Sequence, residues 1–135
     1  NALLTAIMTK TTGSALSTYV GGRIYLDEAL PGAVYPYVVM LIVSDITEDT
    51  FTAYLDEVII QFSLFSASRG ATEITTMYEN LKTLFDDAVL SVAGYTQIWM
   101  VRQSLATMLE EITALTGAQM LKHWAVDYSV MLQKT

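Results

Sequence analysis

At 135 residues the chain is long enough for one core and too short for two, so a single domain over residues 1–135 is expected. Hydrophobic residues make up 53 % and charged residues 16 %, against roughly 25 % charged in an ordinary soluble domain, an apolar excess that calls for covering by other subunits. Fourteen acids against seven scattered cations, for a net charge of −7, exclude a phosphate-gripping nucleic-acid surface.

In chain order, Leu3, Leu4, Ile7 and Met8 follow helical spacing and predict a first helix over 2–8 with one buried side. Ser14 is placed to cap a short second helix carrying Leu16, Tyr19 and Val20, which Gly21 and Gly22 end, since glycine readily takes the left-handed conformation at a helix C-terminus. Arg23 to Leu26 reads as a brief strand, followed by a loop at Pro31 and Gly32. The β-branched and aromatic run from Tyr37 to Ser44 predicts a strand, and its lack of alternation implies burial on both faces. A polar, acidic connection from Asp45 to Tyr54 then leads to a second strand, in which Val58, Ile60, Phe62 and Leu64 share one face.

Between Thr72 and Val89 the period becomes helical, with Ile74, Met77, Tyr78, Leu81, Leu84 and Phe85 on one stripe. Gly94 introduces a strand from Tyr95 to Met108, with Trp99, Val101 and Leu105 on one side and Ile98, Met100 and Arg102 on the other. A polar loop over 113–119 precedes the last strand, where Trp124, Val126, Tyr128, Val130 and Leu132 alternate with His123, Ala125, Asp127, Ser129 and Met131. This order predicts an α+β fold: a mostly antiparallel sheet of four to five strands, with the long helix and the N-terminal helix packed on it. An isolated sheet of this kind exposes strand edges, so contacts between neighbouring subunits are expected to run through strands.

Few residues are arranged for chemistry. The lone histidine, His123, has no nucleophile or acid in a motif context beside it and is given no role. The acids Asp45, Glu48, Asp49 and Asp56 gather in one connection without the ligand spacing of a calcium loop. They read either as a docking element or as solvated loop charge. Gly21 and Gly22 lack the remaining glycines and the Lys of a phosphate-binding loop. No cysteine is present, which excludes thiol and disulfide chemistry. No metal, cofactor or catalytic residue is expected. The longest unbroken apolar run, Tyr37 to Val43, falls far short of the about 20 residues of a membrane helix. No basic stretch followed by an apolar core opens the chain, so no export signal is expected.

The segment Gly21-Gly22-Arg23-Ile24-Tyr25, followed by Pro31-Gly32-Ala33-Val34-Tyr35-Pro36-Tyr37-Val38-Val39, resembles the opening half of the phage tail completion (tail terminator) family. There a helix leads to a valine-glycine-glycine-arginine-valine/isoleucine-tyrosine turn, a proline-bearing loop and a tyrosine-proline-tyrosine-valine strand. The similarity covers residues 2 to 132 in order and spacing, with Phe65-Ser66 where the family usually has a tryptophan-serine pair. Structural duty is expected for Gly21, Gly22, Arg23, Tyr35, Pro36 and Tyr37; Pro36, for instance, drives Tyr35 into extended backbone.

The resemblance implies a non-enzymatic virion protein, assembled in the host cytoplasm and located at the head–tail interface. It implies a homo-oligomeric ring, typically a hexamer, that caps the tail tube protein and meets the head–tail connector protein, with no membrane involved. DNA would pass through the lumen without specific binding: six copies at −7 each carry −42, which repels phosphates. The alternative is a small ligand-binding or enzymatic α+β domain with a pocket between Arg102 and the aromatic strand residues.

Overall fold

The computed structural model describes residues 2–28, 34–47, 54–68, 70–114 and 117–135, with side chains described outside 110–120. Helix α1 (Ala2–Thr11) buries Leu3, Ile7 and Thr11, one residue per turn. The hydroxyl of Ser14 accepts from the Ser17 amide at 3.2 Å and caps α2 (Ala15–Tyr19). Gly21 and Gly22 both have positive φ, 63° and 77°, and the Gly22 amide closes the helix on the Ser17 carbonyl at 2.8 Å.

The remaining elements are β1 (Ile24–Leu26), β2 (Tyr37–Thr47), β3 (Leu55–Ser66), α3 (Thr72–Phe85), β4 (Tyr95–Ala114) and β5 (Gly117–Lys134). The strands form one sheet in the order β1-β2-β3-β5-β4, in which only the β1–β2 pair is parallel. The expected α+β fold is what forms, and the helices cover one face of the sheet. Val58, Ile60, Phe62 and Leu64 of β3 and Val126, Tyr128, Val130 and Leu132 of β5 pack there beneath Leu3, Ile7 and Leu16 and the α3 stripe. Within α3, Ile74, Met77, Leu81 and Phe85 are fully buried, and Tyr78 and Leu84 flank them. Phe62 stacks on Phe85 with ring centroids 4.8 Å apart and meets Tyr128 edge-on at 5.7 Å, so the centre of the core is an aromatic cluster. Among the described residues no helix is long and apolar enough to cross a membrane.

Five details differ from the sequence reading, each for a physical reason. Helix α1 runs three residues beyond its expected end, to Thr11, and the Thr11 hydroxyl returns a bond to the Met8 carbonyl at 2.8 Å. Helix α3 ends at Phe85, not Val89, because Asp87 turns left-handed (φ 54°) and gives its amide to the Met100 carbonyl, leaving Val89 exposed. In β2 only Val38, Val39 and Met40 are buried; β1 flanks just those three rungs, so the second half emerges into solvent and is not covered on both faces. In β4 the register shifts once around Ile98 and again around Gln103. Each bulge flips the side chains that follow, so Leu105 lies with Met100 and Arg102 on the helix face, opposite Trp99 and Val101. Finally, within the stretch expected to be a loop, residues 113–114 and 117–119 are strand: the β4–β5 ladder continues to Thr113↔Ala118 and Ala114↔Gly117.

Candidate interaction surfaces

Gly21, Gly22, Arg23 and Tyr35, Pro36, Tyr37, far apart in sequence, meet where β1 joins β2. The Arg23 side chain donates from Nε to the Pro36 carbonyl at 3.0 Å, and its carbonyl accepts from the Val38 amide at 3.0 Å. A Cβ on Gly21 would stand 2.8 Å from the movable end of the Arg23 side chain, so it is the positive φ that calls for glycine there. The Tyr35–Pro36 peptide is cis. Tyr35 stacks on Tyr37 at 5.2 Å, Tyr37 on Phe65 at 4.8 Å, and Phe65 on His123 at 4.3 Å. These motif residues thus seed a row of rings across β2, β3 and β5 on the face without helices, and His123 belongs to that row. Ser66, the partner of Phe65 in the sequence pair, is buried and donates to Glu73 Oε1 at 2.7 Å, tying the end of β3 to the first turn of α3.

The four acids proposed as an interaction element divide. Glu48 and Asp49 lie outside the described residues. Asp45 and Asp56 lie inside paired strands, Asp45 opposite Val58 and Asp56 opposite Thr47, so the connection between β2 and β3 is shorter than the run from Asp45 to Asp56. Both carboxylates line a 270 Å³ cavity with Ala2, Leu3, Ile42 and Tyr95, below the start of α1. Partial burial, and then the like charge of Asp56, hold the Asp45 carboxyl above the ordinary carboxylate value.

Arg102, around which a ligand pocket was one expectation, is already engaged. Its guanidinium donates to the Tyr78 hydroxyl and pairs with Asp86 Oδ2 at 3.4 Å, while the Tyr128 hydroxyl donates to Asp86 Oδ1 at 2.6 Å. Burial, followed by that bond, raises the Tyr128 phenol well above its ordinary value, so it stays a proton donor to Asp86. This network braces the end of α3 against β4 and β5. Among the described residues no group of three or more His, Cys, Asp or Glu side chains is arranged to hold a metal ion.

The surface that sequence reasoning missed is β4. It is a sheet edge twenty residues long, and Ile98, Trp99, Val101, Leu105, Met108 and Leu109 are all 38–61 % exposed. Asp87 covers the outer side of β4 at Met100, but from Val101 onward no described residue outside the β4–β5 ladder bonds to its backbone. The signal was present as a strand with Arg102 its only charge between Tyr95 and Leu109. Edge strands of monomers are normally shortened or studded with charge.

A model of the family described as Tail completion protein gp17 matches residues 2–133. No curated protein matches the sequence. Among solved structures, a chain from the "Virion of native gene transfer agent (GTA) particle" superposes with a TM-score of 0.73 at 14 % identity, over 98 % of this chain and 95 % of that one, a likeness of fold. With the family match running over nearly its whole length, the chain belongs to the tail completion protein gp17 family and is a tail structural protein of the virion.

Proposed function

We propose that the subunit assembles into a ring at the head-proximal end of a phage-type tail, where it ends the tail tube and joins it to the head connector. The observation that carries this reading, beside the family, is the apolar β4 edge, a surface that a lone subunit would have to leave in water. Six copies in a ring fit the closed symmetry that a head-to-tail interface generates. The role is structural and involves no catalytic step.

The open sheet face suits a channel wall for DNA. Across β2, β3, β5 and β4 as far as Leu109, the register puts Glu57 and Asp127 on that face and no Lys or Arg. A phosphate backbone finds no cation to hold it there. The Asp127 carboxylate is fixed in the middle of the face by Gln61 at 3.1 Å and Ser104 at 3.3 Å. Of the four acids, Glu48 and Asp49 in the connection between β2 and β3 form the docking element, set to meet a basic patch on the tube or the connector, while Asp45 and Asp56 stand in the strands that lead to it.

Native mass spectrometry with negative-stain microscopy tests the ring directly: a closed oligomer, free or on the ends of purified tubes, is expected. A chain that stays monomeric in both settings would end the proposal. For the acidic element, replacing residues 48–54 by a two-residue turn should leave a folded subunit that no longer joins heads to tails. Normal joining by that variant would remove the docking role and leave the ring untouched.

A further inference from the structure

The sheet has two ends, and both carry a stretch of backbone that no described residue pairs, flanked by exposed apolar side chains. On the β4 side the free stretch begins at Val101, past the point where the Asp87 amide caps Met100, and carries exposed Val101, Leu105, Met108 and Leu109. On the other side β1 pairs with β2 only through Val38, Val39 and Met40, with the Asp27 amide closing on the Met40 carbonyl at 2.9 Å. Beyond it, Leu41 to Thr47 have no strand partner on their outer side among the described residues, and Val43 and Ile46 are each 52 % exposed. We infer that the free edge of β4 in one subunit pairs with the Leu41–Thr47 edge of β2 in the next copy of this chain, so that the sheets run on from subunit to subunit around the assembly.

Three features of the fold support this choice of partner. The first is direction. β2, β3, β5 and β4 alternate, each antiparallel to its neighbour, so β4 and the β2 of a following sheet also run antiparallel. That pairing adds a rung-by-rung ladder without inverting the subunit, which a rotationally symmetric ring requires.

The second is register along the strand. Through the ladder Leu41 lies level with Asp127 and Thr47 with Leu132, whereas Val101 lies level with Ser129 and Leu109 with Lys122. The two free stretches are therefore offset by three residues at one end and five at the other, or roughly 10–17 Å. Closing a sheet of tilted strands into a cylinder demands a stagger between its two edges. Two edges level with each other would instead favour a flat, open array.

The third is chemistry. Each stretch presents large apolar groups beside N–H and C=O groups that no described residue pairs, and each is the complement the other lacks: a second strand buries the apolar groups and satisfies the backbone together. A two-fold β4-to-β4 contact would pair one edge and leave Leu41–Thr47 bare.

This inference rests on the ring reading, and the absence of cysteine makes it testable without background reactivity. Val43→Cys and Leu105→Cys, both at exposed positions, are made singly and together in the full chain, and assemblies are treated with a short bis-maleimide. The double variant should give a covalent ladder rising to the full ring, each single variant should remain monomeric on a denaturing gel, and an equal mixture of the two singles should stop at dimers. Dimers from Leu105→Cys alone would mean a two-fold β4-to-β4 contact and overturn the inference. Intact rings by native mass with no cross-link in the double variant would overturn this interface while leaving the ring standing. Only monomers, with and without tubes, would remove both.

Discussion

Strands β3 and β4 are built from the same kinds of residue and end in opposite situations. In β3, Val58, Ile60, Phe62 and Leu64 are all at most 4 % exposed, because β2 and β5 flank the strand and α3 covers its inner face. In β4, Trp99, Val101, Leu105 and Met108 are 38–39 % exposed, because one side of the strand has no neighbouring strand among the described residues and two bulges turn apolar groups to both faces. Residue type alone therefore does not separate an apolar group that holds the fold from one reserved for a partner. Place in the sheet does.

The contrast can be broken by substitution, beginning with the core under β3. Leu81→Ala, at the centre of the α3 stripe, should cost about 2 to 5 kcal/mol in urea unfolding, as a buried leucine does; a loss below about 0.5 kcal/mol would mean the stripe does not hold the sheet. Tyr128→Phe keeps the ring in the aromatic cluster but takes the donor from Asp86, and should cost about 1 to 3 kcal/mol. An unchanged midpoint would show that the Arg102 pair satisfies that carboxylate unaided.

On the β4 side the expected stability effects are small and the assembly effects large. Val101→Ser should change unfolding of the isolated subunit by less than about 0.5 kcal/mol, yet shift the oligomer to higher protein concentration in sedimentation. A variant that unfolds easily but assembles normally would reverse the distinction between the two strands.

The smallest effect concerns Asp45. Its folded pKa is raised, so the fold binds a proton more readily than the unfolded chain, and this carboxyl favours the fold as pH falls through its folded value and disfavours it above. Asp45→Asn should therefore be neutral or stabilising at pH 7, by no more than about a few tenths of a kcal/mol given its exposure to water. It should also flatten the pH dependence of unfolding on the acid side. A clear loss of stability at pH 7 would mean that the ionised carboxylate has a favourable partner.

How far the chain could be read in advance follows the range over which each element is determined. Helix α3, the alternation in β3 and the Ser14 cap depend on residues a few positions apart, and all were legible. The bulges in β4 depend on pairing with β5, so the face of Leu105 could not be read from periodicity. Residues 113–114 and 117–119 looked like part of a loop because the stretch is polar and contains glycine, and the ladder overrode local preference. The motif residues from Gly21 to Tyr37 were recognisable as a pattern. Their joint purpose, with Arg23 holding the Pro36 carbonyl and Tyr37 starting a row of rings, required the fold.

The two tryptophans stand on opposite faces of the sheet. Trp124 lies on the helix side, with Tyr78 edge-on at 5.8 Å, and Trp99 lies on the open side, its indole N–H donating to Ser129 Oγ at 3.2 Å with 39 % of the residue exposed. Each indole is thus a fluorophore for a different event. With Trp99 replaced by Phe, emission comes from Trp124 and follows α3 docking on the sheet, so it should be insensitive to protein concentration. With Trp124 replaced by Phe, emission comes from Trp99 and should shift to the blue as neighbours gather over β4 and water leaves the ring. Folding and assembly of the tail subunit can in this way be timed separately in one cuvette.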